Sequence, residues 1–594
     1  MKTEYSHDDK LLVRILLPLI AVNILSSLIQ PCNQFIDSML TGNGLGIEAM
    51  QAYALFFPLG SLVVALSCVF SVGTQINCSH MLGKGEFENS GKLVKTSFLS
   101  AAVFSVSITV LLTVLAPQIA VLLGASSDVP GQISDVVSCL RGYAPGIPAI
   151  FLMGIMMSLL QLEGRRQMVI ALSVVNLTIN LLGDIMNLMV FRKGLFGMAL
   201  ATSIANTFVF LILLVYFLFY SRMFRFSLAG FSGSHLRRIL KNGFPSLSYY
   251  GSLVIRSAFF NYLILTRLNG AILAVLLAVN AFTSVVDAAL GGTGDAVLLL
   301  GGVLHGEKDR AGQKKLLKTA MISGTVLLLV ITAISFAAAV PIASLFSDNK
   351  DPEFIAATAS AIRLTALSFV PDVIACVLKK YIQSVGASNY TSVTNILCNV
   401  VYVCLSAMIL AELIGSDGIF LSYLVCYVLI LLTHILYAVI LSGKNKCRGM
   451  DIFLFLPEDH AEHFVDMWEG TVTGLDGCMK VSKDIAALCK TKGLDTRRTY
   501  HISLFVEEMT KNIVEHGFRH GKHNLIVIKM ILWDDSIFLT IKDNCRSFDP
   551  KHYYDTLDEK EDVPEGMGIR LVMKLAKKTV YTNSFNLNNL MIEL

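Results

Sequence analysis

The sequence predicts a polytopic α-helical membrane protein, with twelve helices in two six-helix repeats and a C-terminal α+β sandwich domain. Three observations support this fold class: an uneven charge distribution, recurring long apolar runs, and an internal repetition of proline and glycine positions. Of the 594 residues, 54% are hydrophobic and 15% are charged, whereas an ordinary soluble domain carries about 25% charged residues. The composition therefore excludes a single soluble globule.

The deficit of charge is confined to the first three quarters of the chain. Residues 1–447 hold 29 Lys and Arg and 21 Asp and Glu, whereas residues 448–594 hold 19 and 23. The first part suits lipid and the second suits water. We predict a cytoplasmic N-terminus at 1–10, helices 1–6 in 11–220, a cytoplasmic linker at 221–238, helices 7–12 in 239–441, a linker at 442–452 and a cytoplasmic domain at 453–594.

Apolar runs long enough to cross about 30 Å of hydrocarbon occur twelve times. They lie near 11–38, 52–76, 93–116, 136–160, 168–190, 195–220, 239–265, 271–302, 316–341, 361–385, 390–411 and 417–441. Lys and Arg concentrate in the loops at 77–95, 161–167, 221–241, 303–318 and 379–392. The positive-inside rule makes these loops cytoplasmic, so both termini of this multi-pass plasma-membrane protein are expected in the cytoplasm, which holds ATP.

The two halves repeat in the same direction at an offset of about 220 residues. The matched positions are Pro18 with Pro245, Gly85 with Gly306, Pro117 with Pro341, Pro148 with Pro371, Gly164 with Gly386, and Asn180 with Asn399. Such a duplication favours a two-lobed transporter over a channel or a receptor.

Two segments then identify a family. FIDSMLTGNGLGIEAMQAYALFFPL and NLTINLLGDIMNLMVFRKGLFGMALATSIAN resemble the first helix and loop and the fifth and sixth helices of the multidrug and toxic compound extrusion (MATE) transporters. The resemblance covers residues 11–441. It implies an antiporter, coupled to H⁺ or Na⁺, that exports organic cations or other amphiphilic small molecules.

Polar residues within the apolar runs are the candidates for the coupling site. An Asp at the centre of a membrane helix costs about 2.5–3.5 kcal/mol, so Asp37 and Asp184 need a partner or a role. Asn180 and Asp184 are four residues apart, on one helix face, and offer oxygen ligands for Na⁺ or a site for a proton. In the resembled family Asp37, Asn180, Asp184 and Thr202 match the cation site of the first lobe. The alternative is that they only hydrogen-bond helices together.

The second repeat is expected to lack this site. When Asn180 is aligned with Asn399, Val403 stands where the first repeat has Asp184. The coupling site is therefore expected on one side only. In the second repeat, Arg256 and Asp287 lie on neighbouring spans and are candidates for an ion pair.

The C-terminal part changes to short strands and amphipathic helices. We predict a strand at IFLFLP (452–457), helices around 475–491 and 496–517, strands near 524–532 and 536–543, a helix at 567–577 and further strands. The sequence lacks GxxxxGK[ST], which argues against an ATP-driven pump of the ABC type. This part is acidic, so nucleic-acid binding is not expected.

Three motifs occur in order in this part: VEEMTKNIVEH, DNCRSFDP and EGMGIRLVMKLA. Together they resemble the Bergerat-fold ATPases of the histidine-kinase type, most closely the anti-sigma-factor serine kinases. The resemblance implies that Asn512 binds Mg²⁺, that Glu508 is a general base, and that Asp543 binds the adenine amino group of ATP. Gly566 and Gly568 would bring phosphates to a helix N-terminus.

One departure from this family concerns the adenine pocket, where Cys545 replaces the usual glycine and would narrow the space for the base. We therefore expect the tail to bind ATP and to adjust transport or to contact a cytoplasmic protein partner. The alternative function is a membrane-anchored serine/threonine kinase or anti-sigma-like switch that uses the transporter-like part as a sensor.

Overall fold

The computed structural model shows a helical membrane part and a smaller α+β part. It describes residues 10–594 apart from 46, 84–86, 124, 126–130, 222–230, 269–271, 308, 347–351, 446–452, 455–463, 473, 519–523, 534–536, 551–552, 555–566 and 585–586. The larger compact unit comprises residues 16–161 and 165–455, and the smaller unit is built on residues 456–594.

The first repeat of the membrane unit is a series of long helices. They are α1 (Lys10–Leu45), α2 (Ile47–Gly83), α3 (Phe87–Val114), α4 (Ala116–Leu122), α5 (Gln132–Tyr143), α6 (Ile147–Leu162), α7 (Arg166–Met186) and α8 (Gly194–Phe219). A 3₁₀ turn at Ala144–Gly146 joins α5 to α6, and a π-helical segment at Asn187–Phe191 extends α7.

The second repeat follows the same plan. Its helices are α9 (Gly233–Arg267), α10 (Ile272–Gly306), α11 (Arg310–Ala337), α12 (Ala339–Ser344), α13 (Pro352–Ala366), α14 (Phe369–Ser384), α15 (Ser388–Ile396), α16 (Val403–Ile414) and α17 (Asp417–Asn445). A π-helical segment at Leu397–Tyr402 joins α15 to α16.

Irregular features recur at matched places in the two repeats. Gly164 and Gly386 both have positive φ, 75° and 87°, immediately after α6 and α14, a backbone conformation that glycine adopts without penalty. Pro117 and Pro341 both lie in the short helices α4 and α12. The turns and breaks of the chain are therefore duplicated together with its helices.

Each of the twelve predicted spans lies on a helix or on a broken pair of helices. Nine helical spans of the described residues are long and apolar enough to cross a membrane, and a tenth is added if the bent pair α13 and α14 counts as one. Of the other two, α1 contains a shorter apolar stretch at Leu16–Ile29, and α9 carries several basic residues in its first turns.

The two repeats meet where α2 packs against α9 and α10. Glycines allow the helix backbones to touch: a Cβ at Gly73 would collide with the carbonyl oxygen of Ile239, and one at Gly243 with that of Val69. Further along α2, the His80 ring is hydrogen-bonded to the carbonyl oxygen of Ser384. The repeats are therefore in close contact near the C-terminal end of α2.

The prediction that Lys379 and Lys380 lie in a loop at 379–392 is wrong. Both residues belong to α14, which continues to Ser384. The Lys380 Nζ lies 2.7 Å from Asp295 Oδ1 on α10, and the Lys380 side chain is only 25% exposed. The prediction failed because the sequence alone does not distinguish a lysine that packs against neighbouring helices from a lysine in a loop at the membrane surface.

The smaller unit is a five-stranded antiparallel sheet in the order β1-β2-β3-β5-β4. The strands are β1 (Phe464–Val472), β2 (Ile526–Trp533), β3 (Ile537–Asp543), β4 (Lys578–Ser584) and β5 (Leu587–Glu593). The helices are α18 (Leu475–Thr491), α19 (Thr496–Asn512) and α20 (Met567–Leu575), with a π-helical segment at Ile513–Gly517 after α19. A shared apolar core, which includes Ile485, Phe505 and Leu539, joins sheet and helices.

Strand β1 was not predicted, although Trp468 and Val472, four positions apart on one face of the strand, are both buried. The strand predicted at 452–457 is wrong for Phe453 and Leu454, which form a helical turn, and its other residues lie outside the described part. Leu454 is buried, and its carbonyl oxygen accepts a hydrogen bond from Tyr381 Oη at 3.1 Å. Leu454 is therefore held against α14 within the larger unit, to which both residues belong.

Candidate functional site

The membrane site is built on α1 and α7 of the first repeat. Asn180 Nδ2 donates to Asp37 Oδ1 at 2.8 Å and to Asp184 Oδ2 at 3.1 Å. All three side chains are buried, with exposed fractions of 0% for Asn180, 8% for Asp37 and 1% for Asp184. The structure therefore brings the three residues together, as their sequence pattern suggested.

The two carboxyl groups share the Asn180 amide as a hydrogen-bond donor, so they lie close to each other. Two ionised carboxylates at this separation repel each other, so a proton or a cation would stabilise the pair. Asp184 Oδ1 is buried and has no hydrogen-bond partner among the described residues. A buried oxygen of this kind is costly unless a proton or cation satisfies it.

A cavity of about 60 Å³ adjoins this cluster. Its lining residues are Asp37, Thr41, Tyr53, Phe56, Tyr143, Met198, Ala199 and Thr202. Thr202, expected from the sequence, therefore lies beside Asp37, whereas Tyr53 and Tyr143 carried no signal that distinguished them from core aromatics. The volume suits a cation or a few water molecules, but not an organic molecule, whose site needs about 300 Å³ or more.

The second repeat carries a counterpart with a different charge. Arg256 Nη1 donates to Asn399 Oδ1 at 3.3 Å, and these residues are 143 positions apart, as Asp37 and Asn180 are. Asn399 thus has a cationic partner on α9, whereas Asn180 has an anionic partner on α1, and Val403 stands where the first repeat has Asp184. The expected direct pair of Arg256 with Asp287 is absent among the described residues, where Asp287 attracts Arg256 only over a longer range.

In the smaller unit, the candidate adenine residue lies at the end of β3. Asp543 is 3% exposed, and its Oδ1 accepts from Cys545 N at 2.8 Å and from Asn588 Nδ2 at 2.7 Å. Tyr581 Oη in turn donates to Asn588 Oδ1 at 2.7 Å. Sequence reasoning missed Asn588 and Tyr581, because nothing in the sequence predicted that β5 and β4 would pair beside β3.

The residues expected at the metal and phosphates lie on two helices that pack together, α19 and α20. Glu508 and Asn512 are half-buried and one turn apart on α19. Gly568 is the second residue of α20, and Gly566 lies outside the described residues. Arg546 N donates to the Gly517 carbonyl at 2.8 Å, which joins the segment after α19 to the turn after Asp543.

Cys545 is 3% exposed and belongs to the apolar core of the smaller unit. Its Cβ would lie 3.3 Å from a Cβ at Gly517. The cysteine therefore packs against the glycine that follows α19, and it leaves the polar contact of Asp543 with the Cys545 backbone in place. Asp543 is a buried acceptor at the end of β3, and Glu508 and Asn512 share one face of α19. Side chains of these types could hold the adenine of ATP and Mg²⁺.

The fold defines a helical membrane protein of two repeats that ends in an α+β domain. A family model described as MatE matches residues 23–186 and 253–408, more than half of the chain. The chain therefore belongs to the MatE family. A second family model, described as a histidine kinase-like ATPase domain, matches residues 477–592, and the chain ends in such a domain.

Known proteins give the same assignment. The probable multidrug resistance protein YoeA of Bacillus subtilis (strain 168) is 26% identical over 197 residues, which are 32% of this chain and 42% of that relative. A MATE crystal structure in complex with MaL6 aligns with a TM-score of 0.69 and 20% identity over 73% of this chain and 98% of the other. An outward-facing MATE family multidrug resistance transporter of the MOP superfamily aligns with a TM-score of 0.67 and 19% identity over 73% and 97%. The membrane fold is thus that of MATE transporters.

Proposed function

We propose that the protein is an antiporter that exports amphiphilic small molecules, organic cations among them, in exchange for H⁺ or Na⁺, and that its tail binds ATP to regulate transport. The observation that carries the proposal is the buried cluster of Asp37, Asn180 and Asp184. A carboxylate pair inside a membrane protein is stable only when a proton or a cation reduces its charge. Release and uptake of that ion therefore change the stability of the first repeat.

The proposed mechanism needs separate binding sites for the ion and for the substrate. The cavity of about 60 Å³ beside Asp37 accommodates a coupling ion, and the exported molecule needs a larger space between the repeats. The ion affects the substrate by stabilising one arrangement of the repeats over the other, not by contact with it. Exchange follows if the ion and the substrate favour opposite arrangements.

The contact of α2 with α9 supports such a two-state mechanism. By the positive-inside prediction, the C-terminal end of α2 faces the cytoplasm. Close packing at Gly73 and Gly243 then closes the transporter on its cytoplasmic side. In the state that is open to the cytoplasm these glycine contacts must be broken. Their strength therefore affects the equilibrium between the two states.

For the tail we propose regulatory ATP binding at the plasma membrane's cytoplasmic face. Asp543 would accept the adenine amino group, Asn512 would hold Mg²⁺, and Gly566 and Gly568 would bring the phosphates to the start of α20. The bound Mg²⁺ would supply charge neutralisation for the phosphates. Glu508 would be positioned as a base near them. The sensor-kinase alternative is not favoured, because the family match covers the transporter part in both repeats.

The test is efflux of a cationic dye from proteoliposomes under an imposed H⁺ or Na⁺ gradient. Asp184→Asn should abolish gradient-driven efflux, because an amide neither binds a proton nor neutralises a cation. Asp417→Asn changes an exposed aspartate at the start of α17 and should leave efflux unchanged. Full efflux in Asp184→Asn, or efflux by the unmodified protein that no ion gradient affects, would refute ion coupling at this site.

A further inference from the structure

After α17 the chain returns to the membrane helices, at a segment that the ion-exchange mechanism does not use. Helix α17 ends at Asn445, and Phe453 and Leu454 form a helical turn directly before the smaller unit, which is built on residues 456–594. Leu454 is 1% exposed, and its carbonyl oxygen accepts a hydrogen bond from Tyr381 Oη at 3.1 Å. The larger unit therefore holds the linker just before the tail begins.

Tyr381 joins this linker to two helices of the second repeat. It lies on α14 and is fully buried, and its hydroxyl is 3.0 Å from Gln313 Oε1 on α11 as well as 3.1 Å from the Leu454 carbonyl oxygen. A phenol has one proton to donate, so the two oxygens compete for it. If Leu454 leaves, the hydroxyl keeps Gln313 as its partner, and only the burial of the Leu454 side chain is lost. The contact can therefore dock and release without leaving the buried hydroxyl unpaired.

The same turn of α14 also contacts the first repeat. Ser384 lies one turn after this tyrosine, and its carbonyl oxygen is hydrogen-bonded to the ring of His80 on α2. Helix α10 packs against both α14 and α2 at adjacent glycines. A Cβ at Gly301 would collide with the Ser384 side chain. A Cβ at Gly302 would collide with the side chain of Ser79 on α2. One turn of α14 thus contacts the linker and, directly and through α10, the first repeat.

We propose that Leu454 acts as a releasable strap. Docked on Tyr381, it holds the end of α14 where that helix meets α2 and so favours the arrangement closed to the cytoplasm, and movement of the tail releases it. Docking shifts the equilibrium only if it is stronger in one arrangement, and the shared turn of α14 supplies this difference, because the repeats part when α2 leaves Ser384. The coupling is reciprocal, so parting of the repeats weakens docking. Its use in regulation rests on the proposed function of the tail, whereas the docking does not.

The experiment measures hydrogen–deuterium exchange of the full-length chain in lipid nanodiscs, in the peptide that contains Leu454 and in the C-terminal turns of α2. Tyr381→Phe keeps the ring but leaves the buried Leu454 carbonyl without its donor, so exchange of the linker peptide should rise about tenfold. Exchange at the end of α2 should rise with it. The matched control is Tyr402→Phe, which removes a hydroxyl contact of 2.9 Å with Thr433 elsewhere in the second repeat and should change neither peptide.

Reciprocity supplies a second test, which leaves the linker itself unchanged. Gly243→Ala places a Cβ against the backbone of Val69 and should part the repeats, so exchange of the linker peptide should rise. Gly251→Ala, with nothing within 4 Å of its Cβ position among the described residues, should not change it. Unchanged linker exchange in Tyr381→Phe would overturn the docking. A rise confined to the linker in Tyr381→Phe, with no response of the linker to Gly243→Ala, would make the contact a static anchor and overturn the strap.

Efflux measurements separate the strap from the proposed function of the tail. Leu454→Asp should release the linker, because a charged side chain cannot stay buried unpaired, whereas Leu454→Met keeps the apolar contact. ATP should alter gradient-driven efflux of the unmodified protein and of Leu454→Met. In Leu454→Asp this effect should be lost while ATP affinity, measured by isothermal titration, stays the same. A full ATP effect in Leu454→Asp would overturn the strap as the route of regulation. No ATP effect in the unmodified protein, together with the expected changes in exchange, would overturn regulation by ATP and retain the strap.

Discussion

At the scale of single residues, Asn180 determines whether the two aspartates act as one site. Its amide donates to both carboxylates, at 2.8 and 3.1 Å, and so holds their oxygens around a common point. Hydrogen bonds to charged groups contribute about 1.5–3 kcal/mol each. In the proposed mechanism the asparagine is therefore a positioning residue, and the carboxylates bind the ion.

The first prediction concerns the loss of this amide. Asn180→Leu keeps the approximate volume but removes both hydrogen bonds, so the apparent affinity for the coupling ion should fall at least about tenfold. The measurement is the initial efflux rate against Na⁺ concentration and against pH. The control, Asn176→Leu, lies one turn earlier on α7 and removes a hydrogen bond of 3.0 Å to Asn206 outside the site. Similar ion dependence in both variants would show that Asn180 has no special role.

The sequence predicted the residues of the membrane site better than their surroundings. Asp37 and Asp184 stood out because charge in an apolar run is rare, and the structure places both beside Asn180. Tyr53 and Tyr143, which line the cavity, could not be found in this way, because an aromatic residue in a membrane helix is common in any environment. Lys379 and Lys380 were assigned to a loop because the sequence does not show which residues pack around a lysine in the folded protein.

At the scale of helices and strands, the contact between α2 and α9 controls how closely the repeats approach. Gly243 permits its own helix to touch the backbone at Val69, and Gly251, two turns further on the same helix, has nothing within 4 Å of its Cβ position. Two glycines of one helix thus have different roles. The first makes close approach possible, whereas the second can carry a side chain.

The second prediction uses this difference. Gly243→Ala should destabilise the conformation in which the repeats are in contact by about 1–3 kcal/mol, the typical effect of overpacking, whereas Gly251→Ala should not. The measurement is disulfide cross-linking of His80→Cys with His305→Cys, because the rings of His80 and His305 lie 5.0 Å apart. A protease site inserted at 222–230 allows the two halves to be separated after cleavage unless the disulfide joins them. The cross-link that holds the two halves together should decrease only with Gly243→Ala. Equal cross-linking in the two glycine variants would contradict a gate at this contact.

Helices could be predicted where long apolar runs recurred, and their ends where glycine recurred at matched positions of the two repeats. The twelve apolar runs coincide with helices, and Gly164 and Gly386 end helices in matched conformations. The π-helical segments at Asn187–Phe191 and Leu397–Tyr402 were not predictable, because an extra residue in a helical turn leaves no pattern in apolar residues. Strand β1 was missed since its alternation is short and includes Gly470, which weakens a strand signal.

At the scale of the whole molecule, the chain joins a MatE family membrane part to a histidine kinase-like ATPase domain. The membrane part has its own candidate ion site, so in the proposed mechanism an ion gradient supplies the energy for transport. The tail then has two possible effects on transport: ATP binding changes the rate, or ATP turnover drives it. Because the carboxylate cluster lies entirely within the membrane unit, we expect the first.

The third prediction separates these possibilities with Asp543→Asn. The change removes the charged acceptor for the adenine amino group, so ATP affinity should fall at least about tenfold, as measured by isothermal titration with the full chain. The Asp543→Asn variant should still show gradient-driven efflux without ATP. ATP enclosed on the side of the membrane that holds the tail should change the efflux rate of the unmodified protein but not that of Asp543→Asn. Asp484→Asn, an exposed change on α18, should respond to ATP as the unmodified protein does. Efflux that needs ATP even under a full ion gradient, and that Asp543→Asn abolishes, would instead make the tail the motor, and the carboxylate pair would then only stabilise the first repeat.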